Sequence, residues 1–327
     1  MKYLITGITG FAGPHLANLL IKNGHEVYGL VRSSNGREND IRDIVPDDNF
    51  SKIKFLFGDL LDRKSLSKIF KNNKFDGVFH LAAQSHPPTS FNDPEGTMHT
   101  NVLGSLNLFE AMCEVQPDCR FLFCSTSEVY GNVPKKNGKI NETFPISPVN
   151  PYGVSKACID LYIRERAVSL KKPYFVTRAF SHTGPRRGHM FSISSDALQI
   201  IRIAHNHQEK IIRVGNLKAV RSVIDVRDCV SAYYKLMQKG KSGEAYNIGG
   251  DKIYSIGEIL DMMLKIKGLK GKIKKEIDQK LWRPIDIDVQ IPDYKKLKKA
   301  TGWTPKIPIE KTLTDLLDYW DKKIINN

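Results

Sequence analysis

Short runs of consecutive apolar residues alternate with stretches whose apolar positions recur every three to four residues through the first half of the chain. The strand-like runs are Tyr3 to Thr6, Glu26 to Val31, Ile53 to Phe57, Gly77 to Ala83 and Arg120 to Cys124. Between them, the residues from Phe11 to Lys22, Asp62 to Lys71 and Thr100 to Cys113 carry helical spacing. Alternation of this kind predicts an α/β fold, a doubly wound parallel sheet with helices on both faces. Ligands in such sheets bind beyond the carboxyl ends of the strands. From about Ala179 the pattern loosens, broken by Gly184, Pro185, Gly188 and Gly215. Helices are expected over Ser192 to His205, Val226 to Gln238 and Ser255 to Lys267, and further sheet strands over Val176 to Ala179 and Glu244 to Gly249. The expected division is residues 1–178 for the main sheet, with strand contributions from about 210–250, and 179–327 for a smaller, interleaved ligand-binding region. There is no internal repeat and no low-complexity linker.

The turn after the first strand carries the most chemistry. Gly7, Gly10 and Gly13 stand at G-x-x-G-x-x-G spacing, with Thr9 and Phe11 between them, directly ahead of the first helix. Such glycines permit a tight turn, close approach of a pyrophosphate to bare backbone, and close packing of helix on strand. The helix N-terminus then offers unpaired N–H groups to phosphate charge. The pattern predicts a Rossmann-like dinucleotide site. Its other residues should follow the later strands: Asp59 and Leu60 after the third, and Leu81, Ala82 and Ala83 at the end of the fourth. The second strand runs into Arg32 with no acidic residue until Glu38. An acidic residue there would bind the ribose 2′-OH of NAD, whereas Arg32 favours the 2′-phosphate of NADP. Since the motif begins at the third residue, the chain is expected to start on its first core strand, with no signal or transit segment before it.

Composition narrows the setting. The 327 residues, 41% of them hydrophobic, can bury a sizeable core. No apolar run approaches the ~18 residues needed to cross a membrane. The five cysteines form no C-x-x-C pair and no cluster with histidines, which predicts buried thiols in a reducing cytoplasm and no metal site. The formal net charge of +15 invites a nucleic-acid reading. Its lysines, however, concentrate in Lys265 to Lys275 and Lys295 to Lys299 without interleaved aromatics, the pattern of a solvated face. A basic chain does favour anionic small molecules through its field.

Tyr152 and Lys156 stand four apart at the start of a helical pattern and so share a face. A lysine ammonium beside a phenol is expected to lower the phenol pKa from about 10 and make the tyrosine a usable proton acceptor. Tyr294/Lys298 and Tyr319/Lys323 share the spacing but look like plain surface helix. Tyr152 differs in following the segment Ser125-Thr-Ser-Glu-Val-Tyr-Gly131 by one loop.

Taken in order, the glycine triplet, Leu81-Ala-Ala-Gln84, Ser125-Thr126-Ser-Glu128-Val-Tyr-Gly131 and Tyr152-x-x-x-Lys156 resemble the extended short-chain dehydrogenase/reductase family. The resemblance covers nearly the whole chain. It runs towards the nucleotide-sugar enzymes, GDP-mannose 4,6-dehydratases and GDP-4-keto-6-deoxy-mannose reductases above all. Ala83-Gln-Ser85-His86 with Ser90-Phe91, and His182 with Pro185-Arg186-Arg187-Gly188, are similar to the dehydratases. Val214-Gly-Asn216 with Val220-Arg221, and Arg283-Pro284 followed by Thr301-Gly-Trp-Thr-Pro305, are shared with or closer to the reductases.

This resemblance implies that Thr126 bonds the sugar O4, that Tyr152 is the base there, and that Lys156 holds the nicotinamide ribose. It also implies that Glu128 is the carboxylate of an elimination at C5 and C6, with hydride leaving C4 and returning at C6. Ser85, His86, Ser127, His182, Arg186, Asn216, Arg221 and Arg283 would meet the substrate. Ser222-Val223 stands where relatives place Asp and an aromatic residue, and Arg32 stands alone where tetrameric dehydratases carry two arginines and a longer loop. A homodimer through the helices near Asn101 and Tyr152 is the expected assembly, with a tetramer as the alternative. The functions in view are a GDP-sugar 4,6-dehydratase, a 4-keto reductase or C4 dehydrogenase on a similar GDP-sugar, and a non-catalytic NADP-binding relative. The resemblance does not choose between mannose and heptose.

Overall fold

The computed structural model describes residues 1–32, 36, 38–134, 138–282, 284, 285, 287 and 289–325. In chain order these form β1 (Lys2–Thr6), α1 (Ala12–Lys22), β2 (Glu26–Val31), α2 (Asp47–Phe50), β3 (Ile53–Phe57), α3 (Arg63–Asn72) and β4 (Gly77–His80). Next come α4 (Pro87–Asn92), α5 (Pro94–Met98), a π-helical turn at His99–Leu103, α6 (Gly104–Val115), β5 (Arg120–Thr126), α7 (Pro151–Leu170) and β6 (Tyr174–Ala179). The second half begins with β7 (His182–Thr183), α8 (Ser192–Ala204), β8 (Ile211–Val214), β9 (Val220–Arg221), β10 (Ile224–Asp225), α9 (Val226–Lys239) and β11 (Ala245–Ile248). It ends with β12 (Tyr254–Ser255), α10 (Ile256–Ile266), β13 (Lys274–Ile277), β14 (Val289–Gln290), α11 (Lys295–Thr301) and α12 (Ile309–Ile325).

Among the described residues seven strands form a Rossmann-like sheet in the order β11-β6-β5-β4-β1-β2-β3, with every pairing parallel. Both faces are covered, which is why the strands read as continuous apolar runs. Tyr3, Ile5, Phe79, Leu122 and Phe175 pack towards α1 and α9. Their alternate neighbours Leu4, Val78, Phe121, Phe123 and Val176 join the residues of α3, α6 and α7. The strand order reverses between β1 and β4, and the carboxyl ends flanking that switch point form the mouth of a cleft.

A separate core gathers α8, α10, α12 and β8 around Ile200, Ile212, Leu260 and Leu313. The two regions interleave. Of the later strands, β11 joins the central sheet whereas β8 pairs with β13 in the smaller region. The helix α9 and the buried Trp303 also return to the main core. Tyr294, which the sequence places on a plain surface, is buried and donates to Asp251 at 2.6 Å.

The turn from β1 to α1 is shaped by two glycines. Gly7 has φ +71°, and a Cβ there would meet the backbone of Ala82 at 2.8 Å. A Cβ on Gly13 would lie 2.4 Å from Gly7 O and 2.6 Å from Ile8 Cα, so the helix can approach the strand this closely only without a side chain. Gly13→Ala is therefore expected to destabilise the fold by about 1–3 kcal/mol, because backbone must move to relieve the overlap. Urea denaturation reads this; an unchanged midpoint would mean that the turn yields freely.

Candidate active site

The helix α7 starts where its first residues dictate. Asn150 is the N-cap, accepting from Gly153 N at 2.7 Å, and Pro151 occupies the first turn. This presents Tyr152 and Lys156 on one buried face. Behind them runs a chain of hydrogen bonds. Thr6 Oγ1 pairs with His80 Nδ1 at 2.6 Å, and His80 Nε2 with Ser105 Oγ at 2.8 Å. Ser105 Oγ donates to Asn101 O at 2.5 Å, and Asn101 Nδ2 donates to Ser155 Oγ at 2.9 Å. Ser155 Oγ then donates to Tyr152 O at 2.7 Å. Asn101 lies in the π-helical turn, and its side chain reaches Ser155 of α7. The spacing Thr100 to Cys113 flagged only a helix there, although a buried asparagine within an apolar stripe is a readable signal.

The cofactor residues expected from sequence all line one cleft of about 1000 Å³: Gly7, Thr9, Gly10, Phe11 and Gly13 from the turn, then Arg32, Asp59 and Leu60, then Leu81, Ala82 and Ala83. Thr126, Tyr152 and Lys156 close its floor. The cleft suits a dinucleotide on structural grounds. The N-cap Phe11 makes no side-chain cap, so the first N–H groups of α1 stay open to phosphate. Ser125 Oγ and Thr183 Oγ1, both buried and both on the cleft, have no hydrogen-bond partner among the described residues.

Electrostatics in the cleft differ from the sequence expectation. Burial pushes the Tyr152 phenol up to about 12; its hydrogen bond with Thr126 and the Arg187 charge oppose this, and Glu128 adds to it. The same burial pulls the Lys156 ammonium down to about 8, and its Nζ rests 4.2 Å from the centroid of the Phe123 ring. In the chain alone desolvation therefore outweighs the expected activation of Tyr152 by Lys156.

Thr126 caps the turn Ser127–Tyr130, its Oγ1 accepting from Glu128 N at 3.3 Å. Asn150 Nδ2 donates to Glu128 Oε2 at 2.8 Å, so the residue that starts α7 also aims the carboxylate. Ser127 Oγ is held by Gln290 Oε1 of β14 at 3.1 Å. Ser85 and His86 line the cleft, and the His86 ring pairs with Thr89 Oγ1 at 2.9 Å and Met190 O at 3.1 Å. His182 stacks on Phe11, and burial lowers it to about 4, which keeps its ring neutral. Asn216 and Arg221 line the far side of the cleft. Arg283 lies outside the described residues.

Arg186 does not line the cleft. Its side chain is turned from the cleft to the back of the glycine turn, donating to Thr9 O at 2.9 Å, Gly10 O at 3.1 Å, Asp40 O at 2.5 Å and Asp43 Oδ2 at 3.3 Å. These bonds hold a backbone with φ +71°, unusual for a side-chain-bearing residue. The next residue takes the position expected for Arg186. The Arg187 guanidinium lies 3.4 Å from the Phe191 centroid and 4.8 Å from that of Phe11, on the cleft wall. Two adjacent arginines look alike in sequence, and only the left-handed backbone at Arg186 separates them. Asp196 and Gln290 also line the cleft, and a single Asp or Gln in an ordinary helix or strand pattern carries no signal in sequence.

Because the unfolded chain keeps the Lys156 proton to about 10.5 and the folded one only to about 8, the charged form burdens the fold fully below pH 8. Stability rises with pH between those values, where the unfolded state binds more protons. Lys156→Met, which removes the charge and keeps the bulk, should therefore stabilise the cofactor-free protein at pH 7 by about 1–3 kcal/mol, and this advantage should shrink towards pH 10. Urea denaturation at both pH values checks this; a variant less stable at pH 7 would contradict it.

Comparison with known proteins places this cleft in context. A family described as GDP-mannose 4,6 dehydratase matches residues 4–316. The chain is 32% identical over 327 residues to GDP-mannose 4,6 dehydratase 1 of Arabidopsis thaliana, covering 96% of this chain and 88% of the relative. It is 29% identical over 323 residues to GDP-6-deoxy-D-mannose reductase of Pseudomonas aeruginosa, covering 99% and 98%. Among solved structures, RMD from Pseudomonas aeruginosa complexed with NADPH superposes with a TM-score of 0.83 at 28% identity, covering 98% of this chain and 99% of that one.

Proposed function

The chain belongs to the GDP-mannose 4,6 dehydratase family, and we propose that it is an NADP-dependent 4,6-dehydratase of GDP-mannose or a related GDP-sugar, a lyase that yields a 4-keto-6-deoxy product. The observation that carries this reading is the pairing of two proton-handling groups across one residue. Asn150 caps the helix that carries Tyr152 and holds Glu128 Oε2 at 2.8 Å.

In this reading Tyr152 takes the proton from the sugar O4 hydroxyl, with Thr126 bonded to the same oxygen. Glu128 takes the C5 proton and gives it to the C6 hydroxyl, which leaves as water, and a proton from solvent reaches C5 as the hydride returns to C6. NADP, when bound, supplies the hydride acceptor at C4, the hydride donor at C6 and, oxidised, a positive ring that favours the phenolate. Lys156 holds the ribose of the nicotinamide. Arg32, exposed at the end of β2 on the cleft margin, meets the 2′-phosphate. Arg187, a half-buried cation on the cleft wall with no carboxylate partner among the described residues, meets a diphosphate together with Arg221. Ser85, His86, Ser127 and Asn216 position the sugar and nucleotide. His182 braces Phe11 by stacking.

A homodimer through α6 and α7 fits the exposed Leu103, Val154, Leu161 and Val168 near their outer faces. Five free cysteines fit a reducing compartment such as the cytoplasm. Among the described residues no helix is long and apolar enough to cross a membrane.

A second reading, 4-keto reduction of a GDP-6-deoxy sugar, is favoured by length, since this chain covers 98% of the Pseudomonas aeruginosa reductase. Glu128→Gln separates the two. The amide keeps the shape and can still accept from Asn150, but it cannot take a proton from carbon. In single turnover with a GDP-sugar, reduced nicotinamide absorbance should appear and persist, with no 6-deoxy product, for a dehydratase. A variant that retains turnover within a few-fold, and a parent that consumes added NADPH, would instead support the reductase.

A further inference from the structure

The helix α8 carries a carboxylate that the mechanism does not use. Asp196 is 4% exposed and lines the cleft on the side away from the glycine turn. Its side chain makes no hydrogen bond to another described residue. Lys275 is the charge that favours its ionised form, and that ammonium is itself engaged by Asp261. Burial pushes the carboxyl up to about 7. With no donor from the described residues, its oxygens open onto the cleft, where donors of a bound ligand would satisfy them. Ile193, Val214, Leu217 and Leu281 line the same cleft and give it apolar surface on which a flat ring could lie.

We propose that Asp196 reads the base of the bound nucleotide, accepting two hydrogen bonds from the adjacent N1–H and N2–H groups of a guanine. This rests on the reading of the substrate as a GDP-sugar. A carboxylate is acceptor-only. Guanine alone among the common bases presents two neighbouring donors on its Watson–Crick edge. Uracil and thymine flank their single N3–H with carbonyl oxygens, which a carboxylate repels. Adenine sets an acceptor beside its amino group. Phosphates are excluded by charge, and they have Arg187 and the helix α1 terminus elsewhere in the cleft. A ribose diol could also donate twice, and 2′-deoxy-GDP, which lacks one of its hydroxyls, separates that ligand from the base. Base choice thus comes from a buried group that only the right ligand satisfies, the arrangement that discriminates most strongly.

The test is calorimetric binding of GDP, 2′-deoxy-GDP, xanthosine diphosphate and UDP to the parent and to Asp196→Asn. The asparagine keeps the shape but offers one acceptor and one donor, matching xanthine N1–H and O2. Circular dichroism and NADP binding, which does not involve Asp196, verify that the variant is folded. The parent should prefer GDP to UDP. The variant should lose about ten- to hundredfold for GDP, the worth of hydrogen bonds to a charged group, and gain about tenfold or more for xanthosine diphosphate. The deoxy ligand should follow GDP in both proteins. If the parent prefers GDP but the variant binds all four ligands as the parent does, Asp196 does not read the base and the GDP-sugar reading stands. If the loss is absent with 2′-deoxy-GDP, Asp196 holds the ribose and the proposal is overturned. If the parent prefers UDP, the GDP-sugar reading fails, and this inference fails with it.

Discussion

A chain of buried hydrogen bonds from Thr6 to Tyr152 is the constraint on which the site depends. Five polar side chains lie where sheet, α6 and α7 meet, and each must find a partner or destabilise the fold. Thr6 finds His80, which lies opposite it in the β1–β4 register, and the relay continues through Ser105, Asn101 and Ser155. Burial lowers the His80 ring to about 3, so the link stays neutral across the working range. Satisfying these groups fixes the rotation of α7 relative to the glycine turn. That rotation brings the Tyr152 phenol to the carboxyl ends of the strands, where a dinucleotide cleft opens.

The cleft is held in a state that its own residues do not favour. Tyr152 is too weakly acidic when alone, Lys156 is burdened by its charge, Arg187 lacks a carboxylate and Asp196 lacks a donor. In the proposed function each imbalance meets a group that a nucleotide sugar or a dinucleotide would bring. The fold carries the cost through its apolar cores and through ion pairs such as Arg178–Asp160, which locks β6 to α7 with two bonds of 2.8 Å.

Much of this was legible in the chain because period and punctuation carry it. The strands β2 and β3 fall on the apolar runs read from sequence, and the helices α8 and α9 end within a residue of those expected. The glycine triplet, Tyr152 and Lys156 stand out in the chain because their spacing relative to strands is local, and Glu128 stands out through the family resemblance of its segment. What escaped depends on distant parts of the chain. Arg186 and Arg187 differ only through a left-handed backbone that points one at Thr9 and the other at Phe191. The phenol of Tyr152 depends on how completely the smaller region buries it. Asp196 gains meaning only once α8 is laid along the cleft.

Elimination across C5 and C6 of a sugar is the central claim, and it leaves a mark that hydride transfer alone cannot. In the proposed function Glu128 removes the C5 proton as water leaves, so the proton that returns to C5 would come from solvent. Turnover of GDP-mannose in deuterium oxide, with the product examined by NMR and mass spectrometry, tests this directly. The account predicts a 4-keto-6-deoxy product carrying deuterium at C5, with no net consumption of NADPH. A 4-keto-6-deoxy product with only protium at C5 would contradict it.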